Sequence, residues 1–280
     1  MDSRALPVIP PELAPFAEKI RATLKDAVNI KLHPAKNLQP WQSKVGGTPY
    51  LPKSAEYPRS SAGSALLLLA QINFAETPRL SGYPDKGILQ FFIDPTDDMM
   101  GLNLNSNAST TEQDLFRVQY FPDVTEDASQ LQTELPFRIE GENIVDVASG
   151  KESQMYWPLE RNVELAMEFQ PFQQYMTPND YRREEIFGGE TYDTRPEAYE
   201  AFDEHLRSNG HQIGGYPVFT QEDPRTGSSD LRGYELLFQL DSDGTNGIMW
   251  GDMGVGNFFI RPEDLEKRDF SKVAYNWDCC

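Results

Sequence analysis

The chain has 280 residues, 39% of them hydrophobic and 11% aromatic. That is enough to bury a core, and it excludes wholesale disorder. The net charge of −19 leaves no basic footprint to exchange for counterions, so nucleic acid is excluded as the expected partner. The charge is uneven: residues 1–60 carry nine Lys/Arg against five Asp/Glu, and the remainder sixteen against thirty-nine. A basic amino-terminal segment docked on an acidic body, or an acidic face meeting a basic partner, would both use this imbalance.

The first predicted element is a helix opened by Pro10-Pro11-Glu12. Leu13, Phe16, Ala17, Ile20 and Leu24 share one helical face, with Glu18, Lys19, Arg21 and Lys25 opposite. Short apolar runs bounded by Pro and Gly follow. Leu66–Ile72, Ile88–Ile93, Phe116–Phe121, Glu235–Leu240 and Asn257–Ile260 read as strands. Two helices are predicted between residues 177 and 208. Thr177-Pro178-Asn179-Asp180 would start the first, and the capping-box spacing of Thr194 and Glu197 the second, which Asn209-Gly210 would stop. A short helix over Pro262 to Arg268 is the last.

An internal repeat organises this list. At a separation of 168, Gly46, Gly47, Pro49, Ser60, Ser61, Leu68, Leu69 and Gln71 meet Gly214, Gly215, Pro217, Ser228, Ser229, Leu236, Leu237 and Gln239. After one deletion, Gly87, Phe91, Phe92, Ile93, Pro95 and Asp97 meet Gly254, Phe258, Phe259, Ile260, Pro262 and Asp264. The separation is too long for a solenoid, whose units run about 20–50 residues. The expected architecture is therefore α+β: one β-rich domain over residues 1–280, made of two similar sheet-containing repeats in a pseudo-twofold arrangement, with a few peripheral helices. The repeat cores span about 46–97 and 214–264, and about 99–210 is an elaboration between them.

A set of motifs runs along the chain: Gly46-Gly47-Thr48-Pro49-Tyr50-Leu51-Pro52, Leu69-Ala70-Gln71-Ile72-Asn73, Gly87-Ile88-Leu89-Gln90-Phe91-Phe92 and Gly214-Gly215-Tyr216-Pro217. Leu237-Phe238-Gln239-Leu240-Asp241-Ser242-Asp243 and the run from Met249 to Ile260 complete it. In these motifs the chain resembles the YwqG-like family, a bacterial domain of unknown function. The resemblance implies a β-rich cytoplasmic domain and assigns no catalytic residue.

Chemistry has few footholds. Asp241, Asp243, Thr245 and Asp252 sit at positions 1, 3, 5 and 12 of a calcium-loop pattern, but Asn246 stands where that loop needs glycine, and the flanks read as strands. A divalent cation on Asp241, Asp243 and Asp252 is weighed against a polar hairpin turn, which is favoured; no other cofactor is expected. Gln71 and Gln239 end equivalent strands. They either satisfy backbone groups of an irregular neighbour or face each other across a ligand cleft beside Trp250. Trp250 and Trp41 read first as core. The three histidines show no metal-binding spacing, and no nucleophile elbow or phosphate loop is present.

Cys279 and Cys280 are adjacent, ill placed for a disulfide and too few for a zinc site, which points to a reducing compartment. Met1 to Val8 lacks a secretory pattern, and Ala65–Ala70, the most apolar run, is far short of a bilayer span. The expectation is a cytoplasmic, non-enzymatic binding or protein-interaction module with an unknown protein or small-molecule partner and no membrane role. The alternative is a carboxylate- or metal-dependent hydrolase-like enzyme with its site in the cleft between the repeats.

Overall fold

A computed structural model describes residues 6, 8–103, 109–226 and 229–280. Ser228, part of the repeat match, and most of Met1–Val8 lie outside them. Thirteen strands are described, and ten form one sheet. In chain order they are β1 (Lys25–Pro34), β2 (Lys44–Gly46), β3 (Leu67–Asn73), β4 (Ile88–Ile93) and β5 (Phe116–Phe121). A small sheet of β6 (Phe137–Glu140), β7 (Asn143–Asp146) and β8 (Glu152–Gln154) intervenes. Then come β9 (Glu164–Gln174), β10 (His211–Gly214), β11 (Glu235–Asp241), β12 (Val255–Ile260) and β13 (Ala274–Asp278).

The sheet order is β13-β12-β11-β10-β1-β9-β2-β3-β4-β5. The central pair β1 and β9 run antiparallel through ten paired residues, Lys25 to Pro34 against Gln174 to Leu165. On one side Ala27 pairs Gly214 and Asn29 pairs Gln212; on the other Glu164 pairs Gly46 and Ala166 pairs Lys44. Further out, Gln212 pairs Gln239 and Lys44 pairs Gln71. Next, Gln239 pairs Asn257 and Gln71 pairs Gln90, with a register shift between Leu236 and Phe238 in one strand and between Leu68 and Ala70 in the other. Each chain segment thus supplies its first long strand to the other half of the sheet, since β1 pairs β10 and β9 pairs β2.

The sheet curls into a near-barrel because one face is aromatic. Phe91 lies 4.7 Å from Phe238 and 4.6 Å from Phe258, and Phe116 lies 5.4 Å from Tyr275, ring centre to ring centre. These rings, with Val28, Ile30, Val45 and Ile213, form the main core. The space where the two half-sheets face each other is filled by these side chains, and rings at these separations add to the area they bury.

The opposite face carries a polar row to which nine of the ten strands contribute. Asn276, Asn257, Gln239, Gln212 and Asn29 are successive cross-strand partners on one half; Gln119, Gln90, Gln71 and Lys44 are on the other. Most of the row is buried beneath the segments that follow the Gly-Gly turns.

The predicted first helix is split. Residues Pro11–Phe16 form a 3-10 turn, α1 covers only Ala17–Ala22, and Lys25 opens β1 instead of extending the helix. Pro15 lies within the 3-10 turn, and a proline supplies no N–H for regular α-helical bonding. The other helices are α2 (Arg183–Phe187), α3 (Pro196–His205) and α4 (Pro262–Glu266). Neither predicted cap forms. Thr177 donates instead to the Pro217 carbonyl at 2.7 Å while Arg182 takes the N-cap position of α2, and Thr194 bonds Thr191 while Arg195 takes the N-cap position of α3, neither arginine capping with its side chain. Leu13, Phe16, Ile20, Phe187 and Phe202 make a second core with Tyr216.

Candidate functional site

Each Gly-Gly turn borders a cavity. Gly46 and Gly47 have φ of 67° and 70°, and Gly214 and Gly215 have φ of 69° and 73°. This left-handed pair is open to glycine and strained for other residues, and it turns the chain sharply from the end of β2 or β10. A cavity of about 310 Å³ lies beside Gly46-Gly47, roofed by Phe137 and Ile139 of the small sheet with Trp157. A cavity of about 290 Å³ lies beside Gly214-Gly215.

The second cavity is built by both halves of the sheet. Leu80–Tyr83, the segment before β4, supplies one wall; Leu236, Ile260 and Leu265 supply an apolar floor. The Tyr83 hydroxyl donates to the carbonyl of Leu236 at 2.9 Å. Burial pushes that phenol well above its ordinary value, so it stays protonated as a donor. Arg268 donates to the carbonyls of Gly82, Tyr83 and Leu265, clasping the wall to the end of α4.

The polar side of this cavity is the end of a continuous ion chain. Lys25 Nζ meets Glu235 Oε2 at 2.5 Å, and Glu235 Oε1 accepts from Arg182 at 2.9 Å. Arg182 pairs with Asp180, Asp180 with Arg225, and Arg225 with Asp223. Asp180 and Arg225 are wholly buried. The chain alternates three cations and three anions, which keeps its buried end neutral. Burial pushes the Lys25 amine down despite Glu235, and burial would raise Asp180, but the bond from Arg182 and the charges of Arg225 and Arg182 hold it below the usual carboxylate range. At the cavity mouth Asp26 and Glu266 are exposed, and Asp26 accepts from Gln173 at 3.0 Å.

The residues singled out in the sequence fall elsewhere. Gln71 accepts from Tyr50 N–H at 2.8 Å and donates to the carbonyls of Pro40 and Gln42; Gln239 accepts from Val218 N–H at 2.8 Å and donates to the carbonyl of Gly210. Both side chains are buried on the polar face. Trp250 is buried in the core beside Tyr275 and Trp277. Among the described residues, Gln71, Gln239 and Trp250 line none of five surface cavities. Asp241 ends β11 and accepts from the N–H groups of Gly210 and Ser242. Asp243 accepts from Thr245 N–H, Asn246 N–H and the Asn246 amide, and its carboxyl lies 3.6 Å from His211. Asp252 is exposed in the same β11–β12 connection. Among the described residues no cluster of three His, Cys, Asp or Glu has a metal-binding arrangement.

The chain belongs to the family described as Domain of unknown function (DUF1963), which matches residues 43–279. No curated protein matches the sequence. Among the described residues no helix is long and apolar enough to cross a membrane.

Sequence reasoning missed Lys25, Glu235, Asp180, Arg182 and Arg225. The sequence pattern puts Lys25 on the polar side of a helix and Asp180 in the first turn of another, as its early acid. One signal was available: Gln221-Glu222-Asp223 follows the second Gly-Gly turn where the first has Lys53-Ser54-Ala55. Asp223 is the inner end of the ion chain.

Proposed function

We propose that this protein is a non-enzymatic, cytoplasmic binding module, YwqG-like in kind and built from two copies of one sheet unit, that docks a basic side chain of a partner protein in the cavity beside Gly214-Gly215. The observation that carries this reading is the cavity's charge pattern. Lys25 and Glu235 neutralise each other within it, while Asp26 and Glu266 stand exposed at its mouth over a floor of Leu236, Ile260 and Leu265. A lysine or arginine side chain has the matching profile, an apolar stem with a cationic tip. The net charge of −19 would steer such a partner toward the protein. Two-copy construction is supported by the matching registers, since Gln71 pairs Gln90 as Gln239 pairs Asn257. The hydrolase alternative is less favoured because Asp241 and Asp243 are engaged in shaping their own turns.

The test is calorimetric titration with a short lysine-containing peptide amide and its Nε-acetylated twin. The charged peptide is expected to bind, more weakly as salt rises and more weakly to an Asp26→Asn/Glu266→Gln variant. Equal binding of the acetylated twin, or undiminished binding to that variant, would overturn the reading.

A further inference from the structure

Two arginines of this acidic chain meet at one cavity, and among the described residues neither has a carboxylate partner. An open cavity of about 470 Å³ lies beside the edge strand β5, lined by Arg117, Arg268, Gln113, Tyr120, Phe270 and Ser271. Arg117 Nε donates to the carbonyl of Gln113 at 3.0 Å and its Nη2 to the carbonyl of Arg59 at 3.4 Å. Arg268 Nη1 and Nη2 donate to the carbonyls of Gly82, Leu265, Glu266 and Tyr83. Among the described residues these bonds leave Arg117 Nη1 and Arg268 Nε without an acceptor, and neither guanidinium forms an ion pair. The acids closest in sequence are engaged: Asp114 accepts from Ser61 N–H and hydroxyl, and Asp269 from Ser271 N–H and hydroxyl.

The carbonyl bonds fix the two cations in place. Arg268 has φ of 61°, a left-handed conformation that costs a non-glycine residue energy and that the carbonyl clasp holds. Gln113 locks the other side: it accepts from Val118 N–H at 2.8 Å and donates to the Phe270 carbonyl at 2.7 Å. Tyr120 and Phe270, 5.2 Å apart, present an aromatic wall. Preorganised guanidinium groups recognise oxyanions through charge-assisted hydrogen bonds, and their orientation here is already set by the fold.

We propose that this cavity binds a small oxyanion, a phosphate or carboxylate, between Arg117 and Arg268. The site is distinct from the acidic-mouthed cavity beside Gly214-Gly215 and takes a ligand of opposite charge.

The experiment is calorimetric titration with inorganic phosphate, acetate and phenyl phosphate at low ionic strength, on the native protein and on Arg117→Gln, Arg268→Gly and Lys86→Gln variants. Near-ultraviolet circular dichroism verifies that each variant folds. Glycine relieves the left-handed backbone at position 268, so that variant separates loss of the guanidinium from loss of the turn. At least one of the three anions is expected to bind the native protein, about tenfold more weakly to the Arg117 and Arg268 variants, and unchanged to Lys86→Gln, whose lysine pairs with Asp123 outside the cavity. Preference among the three identifies the source: phenyl phosphate an aryl-borne anion, phosphate the free ion, acetate a carboxylate. Failure of all three to bind, or a loss at Lys86→Gln equal to that at Arg117→Gln, would overturn the proposal.

Discussion

Gln71 and Gln239 stand 168 positions apart and make the same clamp. Each accepts, at 2.8 Å, the N–H of a residue four positions after the first glycine of its Gly-Gly turn: Tyr50 for Gln71 and Val218 for Gln239. Each donates to the carbonyl two positions before its cross-strand partner: Gln42, before Lys44, or Gly210, before Gln212. The neighbouring strand completes the clamp, with Gln90 donating to the Tyr50 carbonyl and Asn257 to the Val218 carbonyl. An irregular cover segment is thereby pinned on the sheet by side-chain amides, which satisfy backbone groups that the ladder does not reach.

Replacing either glutamine by leucine should therefore cost stability heavily. Gln239→Leu strands the Val218 N–H and the Gly210 carbonyl in a buried layer, and each unsatisfied group costs about 1–3 kcal/mol. A loss of about 2–5 kcal/mol is expected on that principle, read as a fall in the urea midpoint with an unchanged slope. A loss below 1 kcal/mol, roughly a single weak hydrogen bond, would show that the clamp is incidental.

Lys44 and Gln212 test the same correspondence where the residues differ. Gln212 donates to the carbonyls of Gly214 and Tyr216; Lys44, wholly buried, donates to those of Gln39 and Thr48 and lies 3.7 Å from Glu164. Lys44→Gln should supply the neutral donor already used in the other half and change stability by no more than about 1 kcal/mol, whereas Lys44→Met leaves carbonyls unmatched and should cost about 1–3 kcal/mol. Burial, outweighing Glu164, lowers the Lys44 amine below its ordinary value. The unfolded chain then holds the proton more tightly, so native stability should rise with pH between the lowered folded value and the ordinary value of 10.5, and Lys44→Gln should flatten that rise. Chemical denaturation at stepped alkaline pH checks both.

Much of this arrangement was written in local pattern. Runs such as Phe116–Phe121 and Ile88–Ile93 have strand length and aromatic or branched side chains, and they form strands over those bounds. β9 escaped notice because Glu164–Gln174 mixes Glu, Gln and Pro with its apolar residues and has one face largely uncovered; β2 and β10 are too short for a periodic signal. The cavity charges escaped for a different reason. Lys25, Asp180, Arg225 and Glu235 are brought together only by the sheet order and by a turn that buries Asp180, and pairing at such separation has no sequence period. The glutamines were visible because the repeat marked them.

The ion chain makes a sharp prediction at Arg225. Its guanidinium is wholly buried and holds both Asp223 and Asp180, with a further bond to the Tyr234 carbonyl at 3.0 Å. Arg225→Met leaves the buried Asp223 without its cation and Asp180 with Arg182 alone, and should destabilise by about 3–5 kcal/mol. Removing Asp223 as well, as Arg225→Met/Asp223→Leu, should recover part of that loss. A double variant no better than the single one would show that the pairing energy is not what Arg225 supplies.

Acid should attack the same chain. Burial alone would raise Asp180, but its arginine partners hold it below the usual carboxylate value, so its folded pKa lies under its unfolded one. Such a group contributes its full stability above the unfolded value near 3.8 and loses it as pH falls through the depressed folded value. Native stability should therefore decline below that unfolded value, and an Asp180→Asn variant, already without the charge, should decline less steeply over the same range. Parallel declines for the two proteins in urea titrations across the acid range would exclude Asp180 as a source of acid sensitivity.

Gly256 carries the last prediction, which concerns space. It lies in β12 beneath the indole of Trp250, and a Cβ there would overlap the Trp250 ring. Trp250 is wholly buried against Tyr275 and Trp277, so the ring has nowhere to move without displacing that cluster. Gly256→Ala should cost about 1–3 kcal/mol by overpacking and should alter the near-ultraviolet circular dichroism of the tryptophan cluster. Gly244, in the connection that precedes β12, has nothing within 4 Å of an added Cβ and is the control, and Gly244→Ala should leave both readouts near the native values. Equal effects at the two glycines would mean that backbone freedom, and not the indole above Gly256, sets the requirement for glycine.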